Sequence, residues 1–193
     1  LYEDIGVLEY LEFFAALYKI PSLIAKERIN KGLKQLDLPV ENKLISQLSK
    51  GMKRKVLIVR SLLHDPKILI YDEPASGLDP QTSAFILTFM QQLSAQGKTI
   101  IFSSHNLSHV QKIAQRVIIV HKGKIASDTT VQQLTKTQEQ SFVVTYAQND
   151  TVHKVTYNMQ QLKQLLERTD IDILEITTQQ ISLEDAFFSI VKS

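Results

Sequence analysis

The chain has 193 residues, 44% of them apolar and 22% charged, the balance of a globular protein with a buried core and not of a low-complexity or collagen-like chain. Lys and Arg exceed Asp and Glu by only 22 − 20 = +2, and no long basic block interrupts the sequence, so charge makes no case for a nucleic-acid partner. Zero cysteines exclude disulfides, thiol catalysis and cysteine–zinc sites, no apolar run reaches the ~18 residues of a membrane span, and no secretory signal opens the chain, so a soluble, cytoplasmic α/β protein is expected.

From Val7 to Ile20 apolar residues recur at helical spacing (Val7, Leu8, Leu11, Phe14, Ala15, Leu17, Tyr18), and Pro21 stops that helix. A charged helix follows through Ile29, Leu33 and Leu36. Residues 49–64 read as a third helix, with Ser49 as N-cap and Asp65-Pro66 beyond its end. Ile68-Leu69-Ile70-Tyr71 is a continuous apolar run, the pattern of a strand buried on both faces. Pro80 suits the first position of a helix running to about Gln96, and Gly97 ends it. Thr99-Ile100-Ile101-Phe102 reads as a second buried strand, followed by a helix from about Asn106 to Gln115. Val117–Val120 and residues 124–127 form a strand pair around Lys122-Gly123. Strands alternating with helices predict a largely parallel sheet.

After Ser127 the composition shifts: ten of the fifteen residues 127–141 are Ser, Thr or Gln, which predicts a short helix and a connector. Two alternating strands, 141–147 and 151–157, flank a turn at Asn149-Asp150. A helix carrying Met159, Leu162, Leu165 and Leu166 precedes a strand over Ile171–Thr177. The last helix has a capping-box pattern, Ser182 with Asp185, and buries Leu183, Phe187 and Ile190. The tail therefore reads as a separate small α/β unit.

Four short motifs carry the chemistry, and each has a plain structural reading of its own. Ile68–Tyr71 runs into Asp72-Glu73-Pro74, which places two carboxylates at the carboxyl edge of a sheet, where open α/β folds bind ligands. The first acid suits holding Mg²⁺ and the second suits polarising a water that attacks a γ-phosphate; the alternative is a strand ending in a solvated acidic turn. Leu48-Ser49-Lys50-Gly51-Met52 opens a helix and exposes backbone N–H groups to an anion, or is an ordinary N-cap beside a loop glycine. Ser76-Gly77-Leu78-Asp79 ends in a residue that could simply cap the next helix. His105 closes Ser103-Ser104-His105 at the end of the second strand, where a lone histidine is usually incidental.

In this order the four motifs resemble the ATP-binding-cassette (ABC) ATPase family. The resemblance makes LSKGM the signature motif, ILIYDE the Walker B strand, SGLD the D-loop and His105 the switch histidine, over roughly residues 1–130. Lys53-Arg54-Lys55, Leu62–Lys67 and Gly97-Lys98-Thr99 agree as flanks, while Lys50, Met52 and Tyr71 depart mildly from the usual Gly, Gln and aliphatic residues. The end, Ser182–Phe187, is similar to the C-terminal extension of the subfamily that drives ABC-2-type exporters.

The fold this implies is a P-loop NTPase-type ABC core with a helical subdomain over 1–64, a remaining ATPase core over 65–136 and a C-terminal α/β extension over 137–193. The implied cofactors are ATP and Mg²⁺. Ser49, Lys50, Gly51 and Met52 would face an ATP held by a partner, in a homo- or heterodimer of ATPase domains. Asp72 would hold Mg²⁺, Glu73 would be the general base, His105 would contact the γ-phosphate and Asp79 would couple the two sites. The stretch 1–48 would dock on membrane-spanning permease subunits, making the protein cytoplasmic and peripheral on the inner face of the cell membrane.

One departure is severe. No G-x-x-x-x-G-K-[ST] loop occurs, and the six glycines (Gly6, Gly32, Gly51, Gly77, Gly97, Gly123) lack its partners. Gly97-Lys98-Thr99 is a decoy, because residue 92 is Gln and a strand follows. With Leu1 in place of a start methionine, the resemblance leads us to expect an N-terminal portion of about 80–100 residues beyond this chain, in a domain of usual size. The 193 residues alone are expected to lack ATPase activity and to leave apolar strand faces uncovered. Two other functions remain open at this point. A non-transport ABC ATPase would carry long heptads, zinc cysteines or a basic linker, none of which is present; a degenerate interaction module would fit the missing loop but not the intact Asp72-Glu73 and His105.

Overall fold

A computed structural model describes residues 3–40, 42–136, 141–149, 151–179 and 183–192. The chain divides into two compact units, Leu1–His105 and Asn106–Ser193.

The first unit opens with three packed helices, α1 (Val7–Leu17), α2 (Ser22–Gln35) and α3 (Lys50–Leu62). Their apolar stripes meet in one core: Val7, Tyr10, Leu11 and Ala15 from α1, Ala25 and Ile29 from α2, Val56, Ile58 and Val59 from α3. α1 stops at Leu17 and not at Ile20, because Lys19 turns left-handed (φ 55°) and returns its N–H to the Ala16 carbonyl at 2.9 Å. Pro21 then starts α2 as its N-cap. Gly6 and Leu44 form an isolated antiparallel bridge, flanked by Val7 N–H to Lys43 O and Ile45 N–H to Ile5 O, both 3.0 Å, which ties the start of α1 to the segment before α3. Arg60 fastens α3 to α1, donating to the Tyr10 hydroxyl at 2.6 Å and lying 4.6 Å over the Phe14 ring.

The same unit holds β1 (Ile68–Tyr71), α4 (Pro80–Ala95) and β2 (Thr99–Phe102). β1 and β2 pair in parallel, Ile68 with Thr99 through Tyr71 with Phe102, as a crossover through a helix requires. α4 buries Ile86, Leu87, Phe89, Met90 and Leu93. Burial of these strands on both faces is corrected, and the expected uncovered apolar faces are found: Leu69 is buried, but Ile70 is 75% exposed and Ile68 and Ile101 are also open. Only the alternate residues of each strand find packing partners among the described residues.

The second unit contains α5 (Leu107–Ile113), β3 (Arg116–His121), β4 (Lys124–Thr130), α6 (Val131–Lys136), β5 (Ser141–Gln148), β6 (Thr151–Asn158), α7 (Met159–Leu166), β7 (Asp172–Gln179) and α8 (Leu183–Lys192). β3 and β4 form an antiparallel hairpin, and β6-β5-β7 an antiparallel sheet. The largely parallel sheet is therefore corrected: among the described residues only β1 and β2 run parallel, and the strand pair read around Lys122-Gly123 is antiparallel, as so tight a turn requires. One core joins Phe142, Val144 and Tyr146 on one face of β5 to Leu162 and Leu165 of α7. Another joins Ile119, Leu134, Leu183 and Ala186, with Phe187 and Ile190 half-buried against it. Ser182, the expected cap of α8, lies outside the described residues.

Candidate functional site

The register of β1 on β2 builds the site. Because Tyr71 lies opposite Phe102, the chain leaves both strands at the same edge, and Ser103 N–H continues the ladder to Tyr71 O at 3.0 Å. Asp72-Glu73 and Ser103-Ser104-His105 therefore emerge side by side at the carboxyl edge.

There the side chains interlock. Ser103 Oγ donates to Asp72 Oδ1 at 2.5 Å and accepts the Glu73 N–H at 3.0 Å. Glu73 Oε1 accepts the His105 backbone N–H at 2.8 Å and meets His105 Nδ1 at 2.7 Å. Glu73 adopts φ 47°, a left-handed conformation uncommon for a residue with a side chain, and its carbonyl takes the Ser76 N–H at 3.2 Å. The His105 side chain is 73% exposed and the Glu73 side chain 32%, so the pair faces outward from the sheet edge. The sequence singled out Asp72, Glu73 and His105, and the fold brings all three together. It gave no role to Ser103, which bridges them; the signal was a polar residue one step beyond a strand that pairs with the acidic strand.

A second cluster surrounds the start of α3. Ser49 is its N-cap, accepting the Met52 N–H at 3.2 Å and keeping its own hydroxyl proton for donation. Lys50 reaches over Gly77, which has φ 65°. A Cβ on Gly51 would stand 2.9 Å from the Thr82 methyl, so glycine here lets α3 approach α4. Asp79 caps α4 through Thr82 N–H at 2.8 Å, and hydrogen bonds from the Thr82 backbone and side chain hold its carboxyl below the usual carboxylate range. The LSKGM and SGLD segments thus touch each other through Lys50 and Gly77.

Tyr71 links β1 to α3: its hydroxyl lies 2.9 Å from Ser61 Oγ, and burial pushes the phenol's pKa up. Gly97-Lys98-Thr99 has other work, since Lys98 Nζ bonds Asp65 Oδ1 at 2.7 Å and the Pro66 carbonyl at 2.8 Å just before β2.

A family model described as "AAA domain, putative AbiEii toxin, Type IV TA system" matches residues 7–110. The ABC transporter ATP-binding protein NatA of Bacillus subtilis (strain 168) is 39% identical over 126 residues, covering 65% of this chain and 51% of that one. The chain belongs to the ABC transporter ATP-binding protein family. The bacitracin transport ATP-binding protein BcrA of Enterococcus faecalis is 34% identical over 137 residues, covering 70% of this chain and 44% of that one. A solved structure titled "Structure of ATP binding subunit of ABC transporter" matches with a TM-score of 0.60 and 31% identity over 70% of this chain and 57% of its own, in keeping with the P-loop NTPase fold. The chain spans about half the length of these relatives.

The donor set suits Mg²⁺ carried in with a nucleotide. Among the described residues no three His, Asp or Glu side chains form a cage of their own, and Mg²⁺ is ordinarily bound through one or two carboxylates plus phosphates and waters. Asp72 could offer one such carboxylate: Ser103 engages Oδ1, and the residue is exposed.

Proposed function

We propose that this chain is part of the ATP-hydrolysing subunit of an ABC transporter, an exporter, which couples ATP hydrolysis to transport through separate membrane-spanning permease subunits. The observation that carries the reading is the Asp72–Ser103–Glu73–His105 arrangement at the carboxyl edge of a parallel strand pair. The relatives support it: NatA is named as an ABC transporter ATP-binding protein and BcrA as a bacitracin transport ATP-binding protein.

In this reading Asp72 holds Mg²⁺, which when bound neutralises charge on the phosphates. Glu73 is the general base. His105 engages Oε1, which leaves Oε2 to take the proton of an attacking water. His105 lies at the exposed side of the pair, where its ring can also meet a γ-phosphate. Ser49, Lys50, Gly51 and Met52 face an ATP bound by a second ATPase domain, in a homo- or heterodimer, through the hydroxyl proton of Ser49 and the first N–H groups of α3. Asp79, capping α4 beside them, couples the two sites. By function, residues 1–64 are the helical subdomain, 65–136 the ATPase core and 137–193 the C-terminal extension.

Docking on the permease is supported by the outer side of α1 and α2. A groove of about 290 Å³ is lined by Glu12, Ala16, Ile20, Ser22 and Lys26, and Phe13, Leu17 and Leu23 of the same two helices are exposed. No helix among the described residues is long and apolar enough to cross a membrane, so this reading places the subunit on the cytoplasmic face through its partner.

The test is single-turnover hydrolysis by the complete protein with its permease. Replacing Glu73 by Gln is expected to slow hydrolysis about 10²–10⁴-fold while sparing ATP binding. Unchanged turnover would reject Glu73 as the base. The 193 residues contain no G-x-x-x-x-G-K-[ST] loop to grip the phosphates. We expect these residues alone to bind no ATP, and a titration showing tight binding would overturn that.

A further inference from the structure

We propose that Ser103 is the positioning residue of the acid pair, setting the Asp72 carboxylate for its metal and locking the backbone that aims Glu73; this rests on the reading of Asp72 and Glu73 given above. The chemistry of the three groups leaves one arrangement of protons. An amide N–H can only donate and an ionised carboxylate can only accept, so the single hydroxyl proton of Ser103 goes to Asp72 Oδ1 at 2.5 Å, and its lone pair receives the Glu73 N–H at 3.0 Å. A bond to an ionised acceptor is the stronger kind, and it fixes the Asp72 rotamer with one oxygen engaged and the other turned away from the hydroxyl.

The second bond acts on the backbone. Glu73 sits at φ 47°, a conformation that persists in a residue with a side chain only when its surroundings over-determine it. Its surroundings do so from three sides: the N–H is held by Ser103, the carbonyl by Ser76 N–H, and the carboxylate by His105. Of these only the Ser103 bond also touches Asp72. Ser103 is itself held by its own N–H on Tyr71 O at 3.0 Å, so the hydroxyl is anchored to the strand that carries the acids. One side chain thus ties the Asp72 carboxylate to the backbone that carries Glu73.

The experiment uses the complete ATPase with its permease, in the presence of a non-hydrolysed ATP analogue, and titrates Mn²⁺ by electron paramagnetic resonance. Substitutions of groups that orient metal ligands cost about 10–100-fold in affinity or activity, so Ser103→Ala should weaken Mn²⁺ binding by that order, while Ser103→Thr, which keeps the hydroxyl, stays within about two-fold of wild type. Single-turnover hydrolysis should fall and recover in parallel. Wild-type Mn²⁺ affinity in Ser103→Ala, or a Ser103→Thr variant as damaged as Ser103→Ala, would overturn the proposal. If Ser103→Ala does not fold, Ser103→Cys carries the test, since a thiol is a similar shape and a weak hydrogen bonder; unchanged Mn²⁺ affinity there has the same adverse meaning. Glu73→Gln separates the two levels. If it leaves turnover unchanged, the reading of Glu73 as the base fails; if it slows turnover while Ser103→Ala behaves as wild type, only the role of Ser103 fails.

Discussion

The ammonium of Lys50 occupies the space in which a side chain on Gly77 would begin. Two segments far apart in sequence, one opening α3 and one preceding α4, thereby come into contact, and Gly77 needs to be glycine for two separable reasons. One is the left-handed backbone at φ 65°, which costs a residue with a Cβ about 1–2 kcal/mol. The other is the overlap with Lys50, whose flexible end can swing aside cheaply. Gly77→Ala should therefore destabilise the complete protein by about 1–2 kcal/mol, and adding Lys50→Ala should recover less than about 0.5 kcal/mol. Denaturant unfolding of the two single variants and the double checks this. Full recovery in the double variant would mean that the overlap, not the backbone, sets the cost.

The Tyr71–Ser61 bond leads to an asymmetric prediction. Ser61 Oγ already donates its one proton to the Ile58 carbonyl at 2.7 Å, so the Tyr71 hydroxyl must be the donor in the 2.9 Å contact. Tyr71→Phe removes a donor and leaves Ser61 still bonded, at a cost of about 0.5–1 kcal/mol. Ser61→Ala strands a half-buried phenolic O–H without its acceptor, which costs more, about 1–2 kcal/mol. Unfolding midpoints of the two variants should rank in that order. The reverse order would mean that Ser61 is the donor and Ile58 its lesser partner.

The parts of the site that were legible in the sequence are those whose signal is local. A run of four apolar residues ending in Asp72-Glu73 announces a strand edge, Ser49 and Asp79 announce helix caps, and both caps are made as read, to Met52 and Thr82. The helix between two short strands likewise foretold the parallel pairing of β1 with β2. What escaped depends on register. Ser103 has a role only because Tyr71 pairs with Phe102, which sets its hydroxyl between two acids thirty residues upstream; nothing within its own neighbourhood says so. Burial on both faces is not legible in the run itself for a related reason. A continuous apolar run does not say whether both faces will be covered, and Ile68, Ile70 and Ile101 remain open while Leu69 is packed. The strand pair around Lys122-Gly123 is legible because its signal is local: a connection that short returns the chain antiparallel, and β3 and β4 pair in that way.

In the second unit, Asp170 makes a pH-dependent tie between the end of β5 and the segment before β7. Arg168 grips it with both arms, Nε to Oδ1 at 3.0 Å and Nη2 to Oδ2 at 2.6 Å, and Gln148 adds a bond to Oδ2 at 2.7 Å. The Arg168 hydrogen bond in particular lowers the Asp170 carboxyl from 3.8 to about 2. A carboxyl that is more acidic folded than unfolded adds stability that is complete above its unfolded pKa and is lost as pH falls through the folded one. The contribution of Asp170 should therefore be constant above pH 3.8 and disappear as pH falls towards about 2. Because the group lies in solvent, salt should weaken it. Carboxyl-carbon NMR titration of Asp170 measures the shift directly, and Asp170→Asn should remove the difference between unfolding at neutral pH and near pH 2 that this group contributes. A carboxyl titrating at its ordinary value would mean that Arg168 does not hold it in solution, and then Asp170→Asn would leave the acid limb of the stability curve unchanged.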